Sequence, residues 1–298
     1  MTKPDIRLPE WFKGSLQTND NYRRVKGLLD RHSLHTVCRG ARCPNIRECW
    51  NSGTATFMLL GDTCTRSCAF CGVPTAKKLT LPDPEEPGKI AQAVSSLDLS
   101  WAVLTSVTRD DLPDSGAAHF AECVRTIHRL SPHCGVELLI PDLKGDHKAI
   151  EIIIDSRPQV IAHNVETVPR LYTEARPEAD YHRSLGVLSY LAQNADSRYT
   201  VKSSLLVGLG ETLQEILAVI SDLARAGCKA ITIGQYLPPS RKHHPVQRFY
   251  TPDEFEFLAE TAKTAGIPLI AAGPLVRSSY LAHKLAGKNL HSGEPVTI

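Results

Sequence analysis

The chain has 298 residues, 42% of them hydrophobic, and a formal net charge of +2, so it is long enough for one large or two small globular domains with a substantial core. The small net charge argues against a bulk nucleic-acid binder, which usually carries a basic stripe. No apolar run approaches the length that spans a bilayer, and the N-terminus resembles neither a secretory signal nor a transit peptide. We therefore expect a cytoplasmic protein with no nucleic-acid or membrane partner.

After an N-terminal arm that covers residues 1–55, short apolar runs typical of strands alternate with longer helical patterns. The predicted strands cover residues 56–60, 101–107, 136–140, 160–164, 201–207 and 230–235, and a further short apolar run covers 268–272. The predicted helices cover residues 89–97, 117–130, 182–194, 211–226 and 253–265.

This alternation predicts an α/β fold in which right-handed βαβ units form a parallel sheet. About six such units would make a partial TIM-like barrel with N-terminal and C-terminal extensions. A doubly wound sheet is the competing architecture, and in both the functional residues lie at the C-terminal ends of the strands. We divide the chain into the arm (1–55), the barrel (56–272) and a C-terminal segment (273–298).

Cysteine is concentrated near the start of the chain, because six of the nine cysteines lie between residues 38 and 71. An odd number with uneven spacing argues against a disulfide framework. Clustered thiols in a reducing compartment usually bind metal. The other three, Cys123, Cys134 and Cys228, have apolar neighbours and are predicted to be buried structural thiols.

The second group of these cysteines, Cys64, Cys68 and Cys71, has the spacing Cys-x3-Cys-x2-Cys directly after the first predicted strand. Three closely spaced thiolates can hold three irons of a 4Fe–4S cube, which leaves the fourth iron without a protein ligand. Such an open position can chelate the amino and carboxylate groups of a methionine moiety, whose sulfonium an electron can then split. A zinc knuckle is the alternative, although zinc sites normally pair Cys-x2-Cys units with a fourth ligand.

The first group, Cys38, Cys43 and Cys49, has the spacing Cys-x4-Cys-x5-Cys. Taken alone it indicates a further thiolate-bound cluster. The alternative is an arm whose thiols pack inside the protein, which three cysteines in so short a stretch make less favourable.

The motif at 64–71 resembles that of the radical S-adenosylmethionine (SAM) superfamily, in which the aromatic position of Phe70 packs beside adenine. The two cysteine motifs together resemble the lipoyl synthase family. The resemblance covers nearly the whole chain and includes residues 9–11 (PEW), 106–112 (SVTRDDL), 163–167 (HNVET), 208–212 (GLGET), 234–237 (GQYL) and 277–280 (RSSY). Leu281 departs from the histidine expected after that tyrosine.

The resemblance implies sulfur insertion at carbons 6 and 8 of an octanoyl chain that is amide-linked to a lysine of a carrier protein. The cluster on Cys64, Cys68 and Cys71 would cleave SAM, two molecules per lipoyl group. A second, auxiliary 4Fe–4S cluster on Cys38, Cys43, Cys49 and Ser278 would donate the sulfurs. Without the resemblance, Ser278 would be interpreted as the N-cap of a helix over residues 280–285.

The implied partners are the octanoylated lipoyl carrier domain of a 2-oxo acid dehydrogenase complex or the glycine cleavage H protein. An electron donor and a protein that rebuilds the auxiliary cluster are also expected. One rival interpretation is another radical sulfur-inserting or methylthio-transferring enzyme. A second is a non-catalytic electron carrier with two clusters, which needs neither a vacant iron nor a barrel of this size.

Several polar residues at predicted strand ends are candidate SAM contacts. Thr105 and Ser106 end the second strand, and Asn164 and Glu166 end the fourth. Arg183 could pair with the methionyl carboxylate, because a guanidinium matches a carboxylate bidentately. A turn cap or a surface ion pair is the alternative for each of these residues.

A basic loop at residues 241–244 (RKHH) follows the sixth predicted strand. It faces either an acidic carrier domain or solvent.

Overall fold

The structure, a computed structural model, describes residues 8–12, 17–40, 43–51, 54–280 and 282. Its centre is one sheet of seven parallel strands in the order of the chain, each strand pairing with the next. The strands are β1 (Thr56–Leu59), β2 (Trp101–Ser106), β3 (Gly135–Leu139), β4 (Val160–Ala162), β5 (Thr200–Val207), β6 (Ala230–Gln235) and β7 (Leu269–Gly273).

The sequential strand order distinguishes the two predicted architectures. A doubly wound sheet reverses its strand order at a switch point, whereas this sheet runs from β1 to β7 without a reversal. The predicted α/β partial barrel is therefore confirmed. The short apolar run at 268–272 is a seventh strand, one more than the six units counted in the sequence.

The described helices are α1 (Asp20–Arg31), α2 (Val37–Gly40), α3 (Ile46–Asn51), α4 (Glu86–Ser96), α5 (Ala117–Leu130), α6 (His147–Asp155), α7 (Tyr172–Ala175), α8 (Tyr181–Gln193), α9 (Leu213–Arg225) and α10 (Pro252–Thr264). Short 3-10 turns occupy Glu10–Phe12, Leu143–Gly145 and Pro169–Leu171. Both α9 and α10 begin with a capping box, in which a threonine and the glutamate three residues later satisfy each other's backbone N–H groups. These caps fix the residue at which each helix begins after the preceding strand.

The helices cover the sheet with one apolar face each. Helix α9 buries Ile216, Val219, Ile220 and Leu223, which recur at the three- and four-residue spacing of a helix face. Strand residues are buried along almost their whole length, as expected for a parallel sheet that helices cover.

The described part of the arm is also folded. Its first helix, α1, buries Val25, Leu28 and Leu29 against the core. Asn19 caps the helix by accepting a hydrogen bond from Tyr22 N, and its backbone N–H donates to Asn51 Oδ1 at 2.9 Å. The arm therefore packs as a small helical layer on the barrel. Among the described residues, no helix is long and apolar enough to cross a membrane.

An ion pair lies inside the barrel, one layer below the ends of the strands. Lys202 Nζ on β5 is 2.8 Å from Glu137 Oε1 on β3, and the two side chains are 1% and 2% exposed. Alternate residues of a strand share a face, so Glu137 lies on the same face as Leu139, and Lys202 on the same face as Ser204. Leu139 and Ser204 line the cavity described below, and the ion pair forms the layer beneath it.

Candidate functional site

A cavity of about 540 Å³ opens at the C-terminal ends of the strands. It brings together most of the residues that the sequence predicted for cluster and SAM binding. The predicted residues that line it are Cys38, Cys43, Cys64, Cys68, Phe70, Cys71, Thr105, Ser106, Asn164, Glu166 and Ser278. Cys49 and Arg183 are not among the described residues that line it.

The loop from Cys64 to Cys71, called here the cysteine loop, follows β1 and is held by segments that follow three other strands. Thr65 N donates to Thr108 O at 3.0 Å, Ala69 N donates to Ala175 O at 2.9 Å, and Ala69 O accepts from His244 N at 2.9 Å. These partners follow β2, β4 and β6. The three thiols are therefore fixed by main-chain bonds to three different parts of the barrel.

A glycine lets these segments approach closely. A Cβ atom at Gly72 would lie 3.0 Å from Pro239 Cβ and 3.1 Å from Gly40 O. Pro239 belongs to the loop after β6, and Gly40 belongs to the arm. The absence of a side chain at Gly72 thus brings the arm, the cysteine loop and the loop after β6 together at one edge of the cavity.

Burial favours the neutral form of two thiols of the cysteine loop, Cys68 and Cys71. Burial raises the pKa of Cys68 to about 11 and also raises the pKa of Cys71. Metal binding has to displace these protons, because the thiolate is the ligand. Among the described residues, no three His, Cys, Asp or Glu side chains are placed to hold a single metal ion, so the assignment of ligands remains a prediction.

The cysteines of the arm lie on and between its short helices. Cys38 is on α2, Cys49 is on α3, and Cys43 lies between them, with its N–H donating to Cys38 O at 3.1 Å. Burial raises the pKa of all three thiols, and the charge of Arg277 partly offsets this effect at Cys43.

The C-terminal segment reaches the arm. Asn45 Nδ2 donates to Leu275 O at 2.6 Å, and Tyr280 OH donates to Glu48 Oε1 at 2.7 Å. Ser278 lies between these two contacts and faces the same cavity as Cys38 and Cys43. It is part of a turn in the described structure; most of the helix over 280–285 that the alternative requires lies outside the described residues.

The candidate SAM contacts differ in how far the protein already satisfies them. Thr105 Oγ1 donates to Leu139 O at 3.0 Å, and Asn164 Nδ2 donates to Glu166 Oε1 at 3.0 Å. Ser106 Oγ and Asn164 Oδ1 are buried without a hydrogen-bond partner among the described residues. Buried polar atoms nearly always have a partner, so these two atoms, facing a cavity lined by thiols, fit a polar cofactor.

Glu166 has two unusual properties. Its φ is 63°, in the left-handed region that a residue with a side chain rarely adopts. Burial raises the pKa of its carboxyl group, against the opposing effects of Arg176 and Asn164. Strained backbone and perturbed pKa values cluster at functional sites, which supports a functional interpretation of this strand end.

The structure shows Arg183 in an ion pair with Asp142, the kind of contact that the alternative interpretation expected. Its Nε donates to Asp142 Oδ2 at 2.8 Å and its Nη2 donates to Glu178 O at 3.1 Å. The guanidinium is thus paired with a carboxylate of the protein and lies outside the cavity lining.

Arg176 is a cavity residue that the sequence reasoning missed. It is buried, and its Nη1 donates to Asn164 O at 3.1 Å and Val165 O at 3.0 Å. Its Nε has no partner among the described residues. No motif marks Arg176, because it lies in irregular chain after α7.

Comparisons with known proteins agree with this geometry. The fold resembles the FeFe-hydrogenase maturase HydG from Carboxydothermus hydrogenoformans, with a TM-score of 0.57 and 15% identity over 76% of this chain and 55% of that one. It also resembles methylornithine synthase, with a TM-score of 0.55 and 14% identity over 88% of this chain and 77% of that one. Likenesses at this level of identity concern the fold alone.

The sequence comparisons identify the class and then the family. Residues 58–223 match the model of the radical SAM superfamily, and residues 2–43 match that of the N-terminal domain of lipoyl synthase. The lipoyl synthase of Chlorobium phaeovibrioides is 49% identical over 93% of this chain and 97% of its own length. That of Bacteroides fragilis is 48% identical over 94% of this chain and 96% of its own length.

The match over residues 58–223 shows that the protein is a radical SAM enzyme. Within that superfamily, the chain belongs to the lipoyl synthase family. Lipoyl synthases are radical SAM sulfurtransferases, so membership confirms the predicted enzyme class, the 4Fe–4S and SAM cofactors, and a lipoyl carrier protein as substrate.

Proposed function

We propose that this protein inserts two sulfur atoms at carbons 6 and 8 of an octanoyl chain carried on a protein lysine, and so forms the lipoyl group. The observation that supports this most directly is that one cavity is lined by two cysteines of the first group, Cys38 and Cys43, by all three of the second group, and by Ser278. An octanoyl chain in that cavity would lie within reach of both proposed clusters. Positioning of this kind is the main contribution of a protein to chemistry that cofactors perform.

In this proposal Cys64, Cys68 and Cys71 hold the first cluster. When bound, it supplies the electron that cleaves SAM and generates the radical that removes hydrogen from the octanoyl chain. The protein contributes the thiol spacing, which leaves one coordination position open for the methionyl group.

The residues at the ends of β2 and β4 bind and orient SAM. Ser106 Oγ and Asn164 Oδ1 offer their unused hydrogen-bonding capacity to its polar groups. Phe70 lines the same cavity and provides an aromatic surface for adenine. Arg176 is already buried behind Asn164 and holds this strand end in place through two carbonyl groups.

Cys38, Cys43, Cys49 and Ser278 hold the auxiliary cluster, which is consumed as the source of sulfur. A serine oxygen is a harder ligand than a thiolate and matches cluster iron less well. The iron at Ser278 would be held less firmly than the other three, which suits a cluster that has to be opened.

The proposed partners follow from this reaction. The substrate is an octanoylated carrier domain of a 2-oxo acid dehydrogenase complex or the glycine cleavage H protein. An electron donor has to reduce the first cluster, and a further protein has to rebuild the second. We propose that the protein itself is cytoplasmic.

Iron and sulfide analysis of anaerobically reconstituted protein, with Mössbauer spectra, tests the proposal. We expect about eight irons per chain, two cubes of four. A fully loaded protein with four irons would exclude the auxiliary cluster. A reduced protein that carries eight irons but does not cleave SAM would instead be an electron carrier.

SAM cleavage without lipoyl product on either octanoylated carrier would favour another sulfur-inserting or methylthio-transferring enzyme.

A further inference from the structure

Arg66 lies inside the cysteine loop, between Cys64 and Cys68, and its guanidinium bridges two carboxylates. Its Nε and Nη2 donate to Asp110 at 2.7 and 2.8 Å. Its Nη1 and Nη2 donate to Asp142 at 2.9 and 2.7 Å. Arg66 is 7% exposed, and the side chain of Asp142 is 1% exposed. The guanidinium thus makes two hydrogen bonds to each carboxylate, and this buried bridge anchors the cysteine loop to the segments after β2 and β3.

The main chain of Arg66 contacts a proposed cluster ligand. Arg66 N donates to Cys64 Sγ at 3.4 Å, and Thr108 N donates to the same sulfur at 3.3 Å. Arg66 N belongs to the cysteine loop, and Thr108 N belongs to the segment after β2. Asp110, on the second of these segments, joins them by accepting hydrogen bonds from Arg66 and from Thr65 Oγ1, the latter at 3.1 Å. The backbone N–H of Thr65 in turn donates to Thr108 O at 3.0 Å. The carboxylate bridge therefore fixes both N–H groups that point at Cys64.

We propose that Arg66 is a positioning residue that sets the reduction potential of the SAM-cleaving cluster by holding these N–H groups on Cys64. Hydrogen bonds to the sulfurs are one of the factors that set the potential of an iron–sulfur cluster. An N–H dipole stabilises the more negative, reduced state, so losing its alignment makes reduction harder. The inference rests on the proposed role of Cys64 as a ligand.

A change of charge near the cluster would by itself shift the potential. Substitutions that conserve charge therefore test the positioning role of Arg66 alone. Lysine keeps the charge of Arg66 but presents a point donor that does not bridge two carboxylates in fork geometry. Glutamate at position 110 keeps the carboxylate but displaces it by one methylene. Since the side chain of Asp110 is 28% exposed, the longer residue has room. Neither change alters the net charge around the cluster.

The experiment is a redox titration of anaerobic, fully loaded Arg66→Lys and Asp110→Glu proteins followed by electron paramagnetic resonance. The signal that changes on addition of SAM belongs to the cluster with the open iron. We expect its midpoint potential to shift to more negative values in both variants. The rate of 5′-deoxyadenosine formation should fall by about 10-fold, which corresponds to a shift of about 59 mV in a one-electron potential. The iron content and the signal of the other cluster should be unchanged.

Arg170→Lys is the matched control. Arg170 also forms a fork with a carboxylate, through Nε and Nη2 to Glu215 at 2.7 and 2.9 Å, but on the outside of the barrel. The Arg170→Lys protein should have the wild-type reduction potential and the wild-type rate of 5′-deoxyadenosine formation. Wild-type potential and rate in Arg66→Lys would overturn the proposal. If that variant does not fold, the same result in Asp110→Glu would overturn it.

A wild-type protein with no SAM-responsive signal would instead contradict the proposed function, so the two failures are distinguishable.

Discussion

The two groups of cysteines are positioned in different ways. The cysteine loop is a short connection of the barrel whose main chain bonds to the segments after β2, β4 and β6. The cysteines of the arm are linked by local bonds, such as Cys43 N to Cys38 O and Cys49 N to Asn45 O. The arm meets the segment that carries Ser278 through Asn45 and Glu48, whose partners are about 230 residues away in the chain.

The difference indicates how each site depends on the rest of the molecule. The geometry of the cysteine loop follows from the barrel itself, and we expect it to persist when either end of the chain is altered. The proposed site of the arm also needs the segment that carries Ser278, which the arm contacts at Leu275 and Tyr280. Such a site can open without unfolding the barrel, which suits the proposed cluster that gives up its sulfur and is rebuilt.

The largest expected effect is a loss of SAM cleavage that occurs on substitution in one cysteine group and not in the other. Cys68→Ala removes one of three proposed anchors of the SAM-cleaving cluster and should abolish 5′-deoxyadenosine formation. Cys43→Ala should leave SAM cleavage measurable while lipoyl product is lost, because Cys43 belongs to the other group. Chromatographic detection of deoxyadenosine and of the carrier products measures both activities.

Cys228→Ala is the control for loss of a thiol. Cys228 is buried and does not line the cavity, so both activities should persist. Cys68→Ala and Cys43→Ala proteins that behaved alike in the two assays would contradict the division between the sites.

The next effect concerns Ser278, the proposed ligand from the far end of the chain. Ser278→Ala should still form deoxyadenosine, while the octanoyl chain loses hydrogen and gains little or no sulfur. Ser278→Cys should also impair turnover, because a thiolate releases iron less readily than a serine oxygen. Mass spectrometry of the carrier protein measures both products.

Ser279→Ala is the neighbouring control: Ser279 also lines the cavity, but its Oγ already accepts a hydrogen bond from Thr56 Oγ1 at 2.9 Å. It should retain sulfur insertion. A fully active Ser278→Ala protein would leave Ser278 with only a local structural role.

The contrast between local bonds and contacts of distant segments also explains which elements the sequence could predict. The strands were predicted because short apolar runs lie between helical patterns, and α5 has the predicted bounds, 117–130. Helix α1 was missed because only Val25, Leu28 and Leu29 form its apolar stripe within a polar segment. Helix α6 was missed because its run of isoleucines is as typical of a buried strand as of a helix.

The site was predictable where it is local in the sequence. The cysteine loop was found from spacing, whereas Ser278 was found only through resemblance, because no local pattern links it to the arm. Arg176 and the Arg66 bridge depend on which loops meet at the barrel mouth, which a sequence pattern does not show. Arg183 illustrates the same limit, since its pairing with Asp142 follows from tertiary packing.

A smaller effect is expected at the SAM pocket of the barrel. Asn164→Ala removes the unpartnered Oδ1 and should raise the dissociation constant of SAM about 10-fold, the value of one hydrogen bond of about 1.4 kcal/mol. Iron content should not change. Equilibrium binding to the loaded protein measures the constant, and Asn194→Ala, at the end of α8, is the control. Unchanged affinity in Asn164→Ala would leave this residue as a partner of Glu166 only.

The smallest effect is expected at the outer edge of the cavity, where a carrier protein would dock. Leu237, Pro238 and Pro239 line the cavity after β6, and the chain then exposes Arg241 and Lys242 to solvent. The backbone of His244 ties this loop to the cysteine loop through Ala69 and to Tyr236 OH at 2.8 Å. The two basic side chains therefore stand on a fixed support beside the entrance.

Exposed charges of this kind act mainly on association and are screened by salt. The double variant Arg241→Glu/Lys242→Glu should raise the KM for an acidic octanoylated carrier domain about 3- to 10-fold at low salt, and the difference should shrink at high salt. SAM cleavage without carrier should stay at the wild-type rate, because neither residue lines the cavity. Lys263→Glu on α10 is the control, since it changes a solvent-exposed charge on a helix of the outer layer. Steady-state kinetics at two ionic strengths measures the effect, and equal KM values for the double variant and the wild type would leave this loop as a solvated surface.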